Sequence, residues 1–127
     1  MKYSLYTLLL VAFLTSCKKE IPGCTDYSAD NYNSAATDND GSCQYSGDLT
    51  FWMSSQMNYI DVTCNGYTQT ITVYYPSGNV TCGSAGCANF HLPVGTYNYY
   101  AEEQGTFNYW AASTTVQKNG CKTILLY

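Results

Sequence analysis

Arginine does not occur in this chain. Five lysines and a single histidine stand against nine carboxylates, a net charge of −4. Binding to nucleic acid or phosphate needs clustered cations, so an acidic, Arg-free surface argues against both. The lone histidine, His91, and the absence of any Cys-x-x-Cys spacing leave a zinc site short of ligands. Neither Gly-x-Ser-x-Gly nor His-Glu-x-x-His occurs, so the hydrolase elbow and the zinc-protease helix are both missing. The apolar run Leu5–Leu14 stops well short of the roughly 20 residues a membrane-spanning helix needs.

That run is instead the length of a signal-peptide core, with Lys2 as its basic start and Thr7 its one clearly polar residue. It leads into Leu14-Thr15-Ser16-Cys17, which resembles the lipobox of bacterial lipoproteins. The resemblance implies diacylglycerol on the Cys17 thiol, cleavage before it and acylation of the new amino terminus. Residues 1–16 are then a lipoprotein signal peptide and 17–22 a lipidated tether. The alternative is an ordinary secretory signal followed by a chance cysteine. One acyl chain binds a bilayer marginally, at about 0.8 kcal/mol per buried methylene, whereas several chains hold. Lys18 and Lys19 either add about 1 kcal/mol each near anionic headgroups or form a solvated tether. By the same resemblance, Lys at position 18 points away from inner-membrane retention, and Lys18-Lys19-Glu20 is similar to surface-export signals of Bacteroidota lipoproteins. An outer-membrane location is expected, with the leaflet open.

The chain carries 14 tyrosines, with Ser, Thr, Asn and Gly between them. Tyr and Thr favour strands and the others turns, which is the composition of an exported all-β protein. What remains after residue 16 is enough for one ordinary domain and a small appendage. Beyond Cys17, six cysteines are left: Cys24, Cys43, Cys64, Cys82, Cys87 and Cys121. An even number in an exported chain reads as a disulfide framework, for which fifteen pairings exist.

Residues 23–47 hold too few large apolar side chains to bury a core. Tyr27, Tyr32 and Tyr45 are their only sizeable packing groups. A Cys24–Cys43 bridge removes about 3 kcal/mol of unfolded-state entropy from a loop of this size. Asp38-Asn39-Asp40-Gly41 supports two readings. Alternating oxygen ligands before a glycine turn begin a calcium loop, and Asp26 offers a further oxygen. Equally, Asx side chains bond local backbone at an Asp-Gly turn. No bidentate Glu follows at the EF-hand distance, which weighs for the turn. Gly23-Cys24-Thr25-Asp26, Ala29, Asn31-Tyr32-Asn33 and Asp40-Gly41-Ser42-Cys43 together resemble a short cysteine module of exported Bacteroidota proteins. That likeness implies export and names no activity.

Ser46-Gly47-Asp48 marks a boundary, and residues 48–127 read as a small antiparallel β-sandwich. Strands are expected at 49–54, 57–64, 67–75, 88–92, 96–102, 106–112, 113–118 and 121–127. Ile71, Val73 and Tyr75 oppose Thr70, Thr72 and Tyr74. Ala88, Phe90 and Leu92 oppose Asn89 and His91, and Tyr97, Tyr99 and Ala101 oppose Asn98, Tyr100 and Glu102. Asn65-Gly66 and Asn119-Gly120 are hairpin signals, because a type I′ turn needs positive φ at both central residues. Cys64 precedes the first and Cys121 follows the second, so a Cys64–Cys121 bridge is expected to join the two tips. The Gly-rich loop Cys82–Cys87 is expected to close on itself. The stretch from Tyr74 to Leu125 looks like small β-sandwich domains of Bacteroidota lipoproteins. Within it, Leu92-Pro93-Val94-Gly95-Thr96-Tyr97 resembles transthyretin-like or carboxypeptidase-regulatory-like repeats, a likeness that implies a fold and no activity.

His91 is expected to face solvent, and Glu102-Glu103 to be a solvated hairpin tip, so no enzyme is expected. The aromatics are too many for a core of this size. Tyr74, Tyr100, Tyr109 and Trp110 are the candidates for binding a protein or a glycan, against cross-strand pairing as their sole role. The reading is a lipid-anchored interaction or accessory subunit of an envelope assembly. The alternative is a carbohydrate- or peptide-binding module. No cofactor is assigned, with calcium the open possibility.

Overall fold

The computed structural model describes residues 19–127. The expected signal peptide, the lipid site at Cys17 and Lys18 lie outside the described residues. Nine strands and no helix occur among the described residues. A two-residue parallel pair, β1 (Pro22–Gly23) with β2 (Asp38–Asn39), belongs to the N-terminal module. The remainder are β3 (Ser46–Met53), β4 (Ile60–Cys64), β5 (Tyr67–Ile71), β6 (Ala88–Pro93), β7 (Gly95–Glu103), β8 (Tyr109–Val116) and β9 (Cys121–Leu126).

These seven strands form a three-stranded sheet, β6-β3-β9, and a four-stranded sheet, β5-β4-β7-β8. Alternation decides which side chains meet between them, since successive residues of a strand point to opposite faces. Leu49, Phe51 and Met53 of β3, with Ala88, Phe90 and Leu92 of β6, pack onto Ile60, Val62 and Cys64 of β4, Ile71 and Ala101. Phe51 is fully buried at the centre, its ring edge-on to Phe90 (5.8 Å) and Tyr99 (4.7 Å). The result is an all-β sandwich whose neighbours are antiparallel except for β3 and β9, which run parallel from Asp48↔Cys121 to Met53↔Leu126.

The two Asn-Gly turns behave differently. Asn65 and Gly66 both have positive φ (50° and 79°) and close the β4–β5 hairpin. At the second turn only Asn119 does, and Gly120 N–H donates to Gln117 O at 2.9 Å, so the turn is centred one residue earlier. It is no hairpin: β8 and β9 belong to different sheets, and the chain crosses between them here. Gly47 makes the crossing possible, because a Cβ there would collide with the Gln117 carbonyl and lie 2.9 Å from that of Gly120.

Two further expectations change. The strands expected at 106–112 and 113–118 are one, β8, whose eight residues all pair with β7. The strand expected at 67–75 ends at Ile71, where Thr72 and Val73 donate to Gly86 O instead of continuing the ladder. From there residues 72–87 form a strap over the outer face of the three-stranded sheet. Gly83 N–H donates to Thr50 Oγ1 (3.2 Å) and Asn89 Oδ1 (3.1 Å), and Thr50 is fully buried although it points away from the core.

The strap also redraws the disulfides. Cys24–Cys43 is present as expected. The other bridge is Cys82–Cys121, closing a separation of 39 residues, rather than Cys82–Cys87 and Cys64–Cys121. Cys64 sits at an inward position of β4 and is 1% exposed, so its thiol points into the core. Cys121 is on the outward side of the other sheet, where the strap brings Cys82 to within 3.7 Å of Asp48 O. Cys87 is buried at the start of β6, its N–H held by Ser84 O. Chain entropy alone makes the long bridge worth about 4 kcal/mol. Burial pushes both free thiols above their ordinary pKa.

Non-reducing proteolysis of the folded protein is expected to yield linked peptides for Cys24–Cys43 and Cys82–Cys121. Cys64 and Cys87 are expected to alkylate only after denaturation; a Cys64–Cys121 peptide overturns the pairing. Phe51→Ala is expected to cost about 3–5 kcal/mol in chemical unfolding, from lost transfer energy plus the cavity left behind.

Candidate functional site

The module meets the sandwich at the Lys118-Asn119 crossing. Asp26 is the centre of that contact. Its carboxylate accepts from Lys118 Nζ (2.7 Å), Tyr45 O–H (2.8 Å), and the Ser28 hydroxyl (2.7 Å) and backbone N–H (2.9 Å). The Lys118 ammonium also lies 3.9 Å from the Tyr45 ring centroid, a cation–π contact. Asn119 Nδ2 donates to Ser28 O, and Ser46 O–H to Asp30. Lys118, then the hydroxyls, hold Asp26 well below the usual carboxylate range, and Asp26 in turn raises the pKa values of Lys118 and Tyr45.

Asp26 is therefore committed to docking and does not join Asp38 and Asp40. Asn39 and Asp40 cap local backbone, accepting from Gly41 N–H (3.1 Å) and Ser42 N–H (2.9 Å). Asp40 is held below its ordinary pKa by Ser42. Among the described residues no group of three or more His, Cys, Asp or Glu side chains converges on a common point. Asp38, Asp40 and Asp26, the possible calcium ligands, are not brought together among the described residues, and the segment forms the alternative Asx turn.

His91 is exposed and pairs across the strands with Asp48, Nδ1 to Oδ1 2.8 Å. The adjacent Glu102 and Glu103 are separated by alternation. Glu103 turns inward, 6% exposed, and accepts from Asn58 N–H (2.9 Å), Asn108 Nδ2 (2.7 Å) and Thr106 O–H (3.1 Å). These donors, Asn108 foremost, lower its pKa. It ties together the β7–β8 turn rather than sitting as a solvated tip.

The candidate aromatics also part company. Trp110 is partly buried against the core and donates from Nε1 to Tyr127 O (2.8 Å). Its register partner is the buried Ala101, which places it on the inner face. Tyr74 bridges Met53 at the edge of the three-stranded sheet. Tyr100 and Tyr109 come together on the outer face of the four-stranded sheet. Their rings stack at 5.9 Å between centroids and 25° between planes, and they are 44% and 66% exposed. Tyr100 O–H reaches Glu102 Oε2 at 3.4 Å, and burial first, Glu102 second, raises its pKa.

Around that stack the outer face is built from matched polar pairs. Thr63 and Thr68 hydroxyls bond at 2.8 Å, and Ser113 O–H donates to Asn98 Oδ1 at 2.6 Å. Asp61 accepts from Thr70 O–H and from Gln104 Nε2 (2.9 Å). One pair is mismatched: Asp61 and Glu102 are direct register partners. Sequence reading missed this pair, since it depends on the β4–β7 register. Phe107, one of the aromatics too many for the core but not among the binding candidates, projects fully into solvent at the β7–β8 turn.

The two sheets thus differ in what they offer. The strap covers the outer face of one, while among the described residues nothing covers the outer face of the other. The module lies by Ser46, at the start of β3; β6 ends beside it at Pro93, and β7 leads away to Glu103. Tyr100, Glu102, Tyr109 and Phe107 therefore sit toward the end of the sandwich opposite the module.

No protein-family model matches the chain, and neither a curated protein nor a solved structure matches it.

Lys118→Met is expected to speed amide hydrogen exchange at Ser28 and Asn119 while β3 amides keep their protection; unchanged exchange at both would show that the module docks without the ion pair. Because the Asp26 pKa is depressed on folding, its contribution is present above the unfolded value of about 3.9 and fades as pH falls through the folded one. The raised Lys118 pKa sets the other limit, with stability lost as pH rises through it. Protection at the junction is accordingly expected to be flat near neutrality and to drop in acid.

Proposed function

We propose that this protein is an outer-membrane lipoprotein, anchored through acylated Cys17, that acts as a non-enzymatic interaction or accessory subunit of a cell-envelope assembly. The anchor rests on the hydrophobic core Leu5–Leu14 meeting Leu14-Thr15-Ser16-Cys17 at the lipobox offset, and on the resemblance of residues 23–43 to the exported Bacteroidota module. The observation that carries the interaction role is the outer face of the four-stranded sheet, left open among the described residues, with its Tyr100–Tyr109 stack away from the module. Exposed tyrosines supply large, rigid contact area with a polar handle. The module held by Asp26 and Lys118 makes the tether-proximal end a firm base for that face.

A second reading takes the same stack as a platform for a neutral sugar, with Glu102 as hydrogen-bond acceptor. The stacked tyrosines favour it enough for a glycan screen to be run beside the partner search.

Intact mass of protein extracted from its native membrane is the test. A chain beginning at Cys17 with added acyl mass, and a Cys17→Ala variant that leaves the membrane fraction, are expected. An unlipidated mass overturns the anchored reading. Copurification with an envelope protein, lost when Tyr100 and Tyr109 are replaced by Ser in a still-folded chain, is the expected sign of the interaction role.

A further inference from the structure

The open sheet face places two carboxylates opposite each other. Asp61 of β4 and Glu102 of β7 are direct cross-strand partners on the same outward face. Directly opposite positions put Cβ atoms about 4.5–5.5 Å apart, and like charges there are destabilising. The neighbouring pairs on this face are complementary, Thr63 with Thr68 and Asn98 with Ser113. No lysine among the described residues relieves the pair: Lys118 is bound to Asp26, Lys122 is on β9 of the other sheet and Lys19 is in the tether. Thr70 and Gln104 donate to Asp61, and Tyr100 to Glu102, which orients the carboxylates without cancelling their charge. Beside them lie the stacked faces of Tyr100 and Tyr109.

We infer that this face docks a cationic segment of a protein partner, with an arginine side chain laid between Asp61 and Glu102 and its stem along the Tyr100–Tyr109 stack. The inference rests on the interaction role proposed above and names the chemistry of the partner. Charge complementarity selects the occupant. A guanidinium offers five donors in a planar fork, pairs with carboxylates and stacks on aromatic faces, which suits this combination better than an ammonium does. A neutral sugar would use the same tyrosines but leave the two carboxylates without a counter-charge. An acidic or phosphorylated partner would add to the repulsion.

The test is a titration of the full-length protein in detergent micelles, followed by backbone amide chemical shifts. The probes are an acetyl-Gly-Arg-Gly-amide peptide, its citrulline counterpart, which keeps the shape and loses the charge, and a chito-oligosaccharide. The arginine peptide is expected to move the amides of Thr63, Tyr100, Glu102 and Tyr109. The Asp61→Asn/Glu102→Gln double variant, shown folded by its unchanged remaining spectrum, is expected to weaken that binding by about tenfold or more. Equal binding of the citrulline peptide, response to the sugar alone, or full binding by the double variant overturns the inference. The broader reading fails separately: an envelope partner that copurifies equally with the double variant leaves the interaction role standing and removes only its arginine.

Discussion

Strand β3 is closed off from water on both faces over its central residues, and the rest of the molecule is arranged to keep it so. Leu49, Phe51 and Met53 lie against the four-stranded sheet, while Thr50, pointing the other way, is sealed beneath the strap. A strand in that position must satisfy its backbone on both edges and its polar side chain above. β6 and β9 supply the edges. Thr50 O–H donates to Asn89 Oδ1 (2.6 Å), and Gly83 N–H reaches both oxygens. The parallel return of β9 to β3 forces the chain to cross between sheets at Lys118-Asn119, which is where the module finds its docking partner.

The strap has a consequence for how the two sheets are used. Covering one outer face leaves the other as the broad exposed sheet surface. Cys82–Cys121 ties the strap to β9 and so keeps that asymmetry, since residues 72–87 have few large buried side chains of their own. The sheet left open carries Thr, Asn, Ser and Tyr in register, with the Asp61–Glu102 pair the one position where cross-strand partners oppose each other. Local disfavour of this kind at an exposed surface is where sequences depart from what folding alone would select.

The N-terminal module works on a different principle. It holds itself with one disulfide and a set of Asx turns, and attaches to the sandwich through Asp26, Lys118 and Tyr45. Electrostatic attachment of partly exposed groups is modest in strength. Three of the four donors on the Asp26 carboxylate come from the module itself and hold it in place, and Lys118 is the one from the sandwich, so the ion pair fixes where Asp26 meets the crossing.

What the sequence determined by itself is what adjacent residues decide. Period-two alternation placed Ile71, Ala88, Phe90, Leu92 and Ala101 on inward faces, Asn65-Gly66 had the φ preference of its turn, and Cys24 and Cys43 bracketed a segment with no other means of closure. Sheet partnership decided the rest. Two Asn-Gly dipeptides look alike, yet one closes a hairpin and the other a crossing, because only the second joins strands of different sheets. Cys64 and Cys121 looked matched by their turns, but inward and outward faces of separate sheets keep them apart. Trp110 and Tyr109 are neighbours in the chain, and alternation within β8 sends one to the core and the other to solvent once the strand's true span is known. Asp61 meets Glu102 only through the β4–β7 register, a long-range pairing that no local pattern encodes.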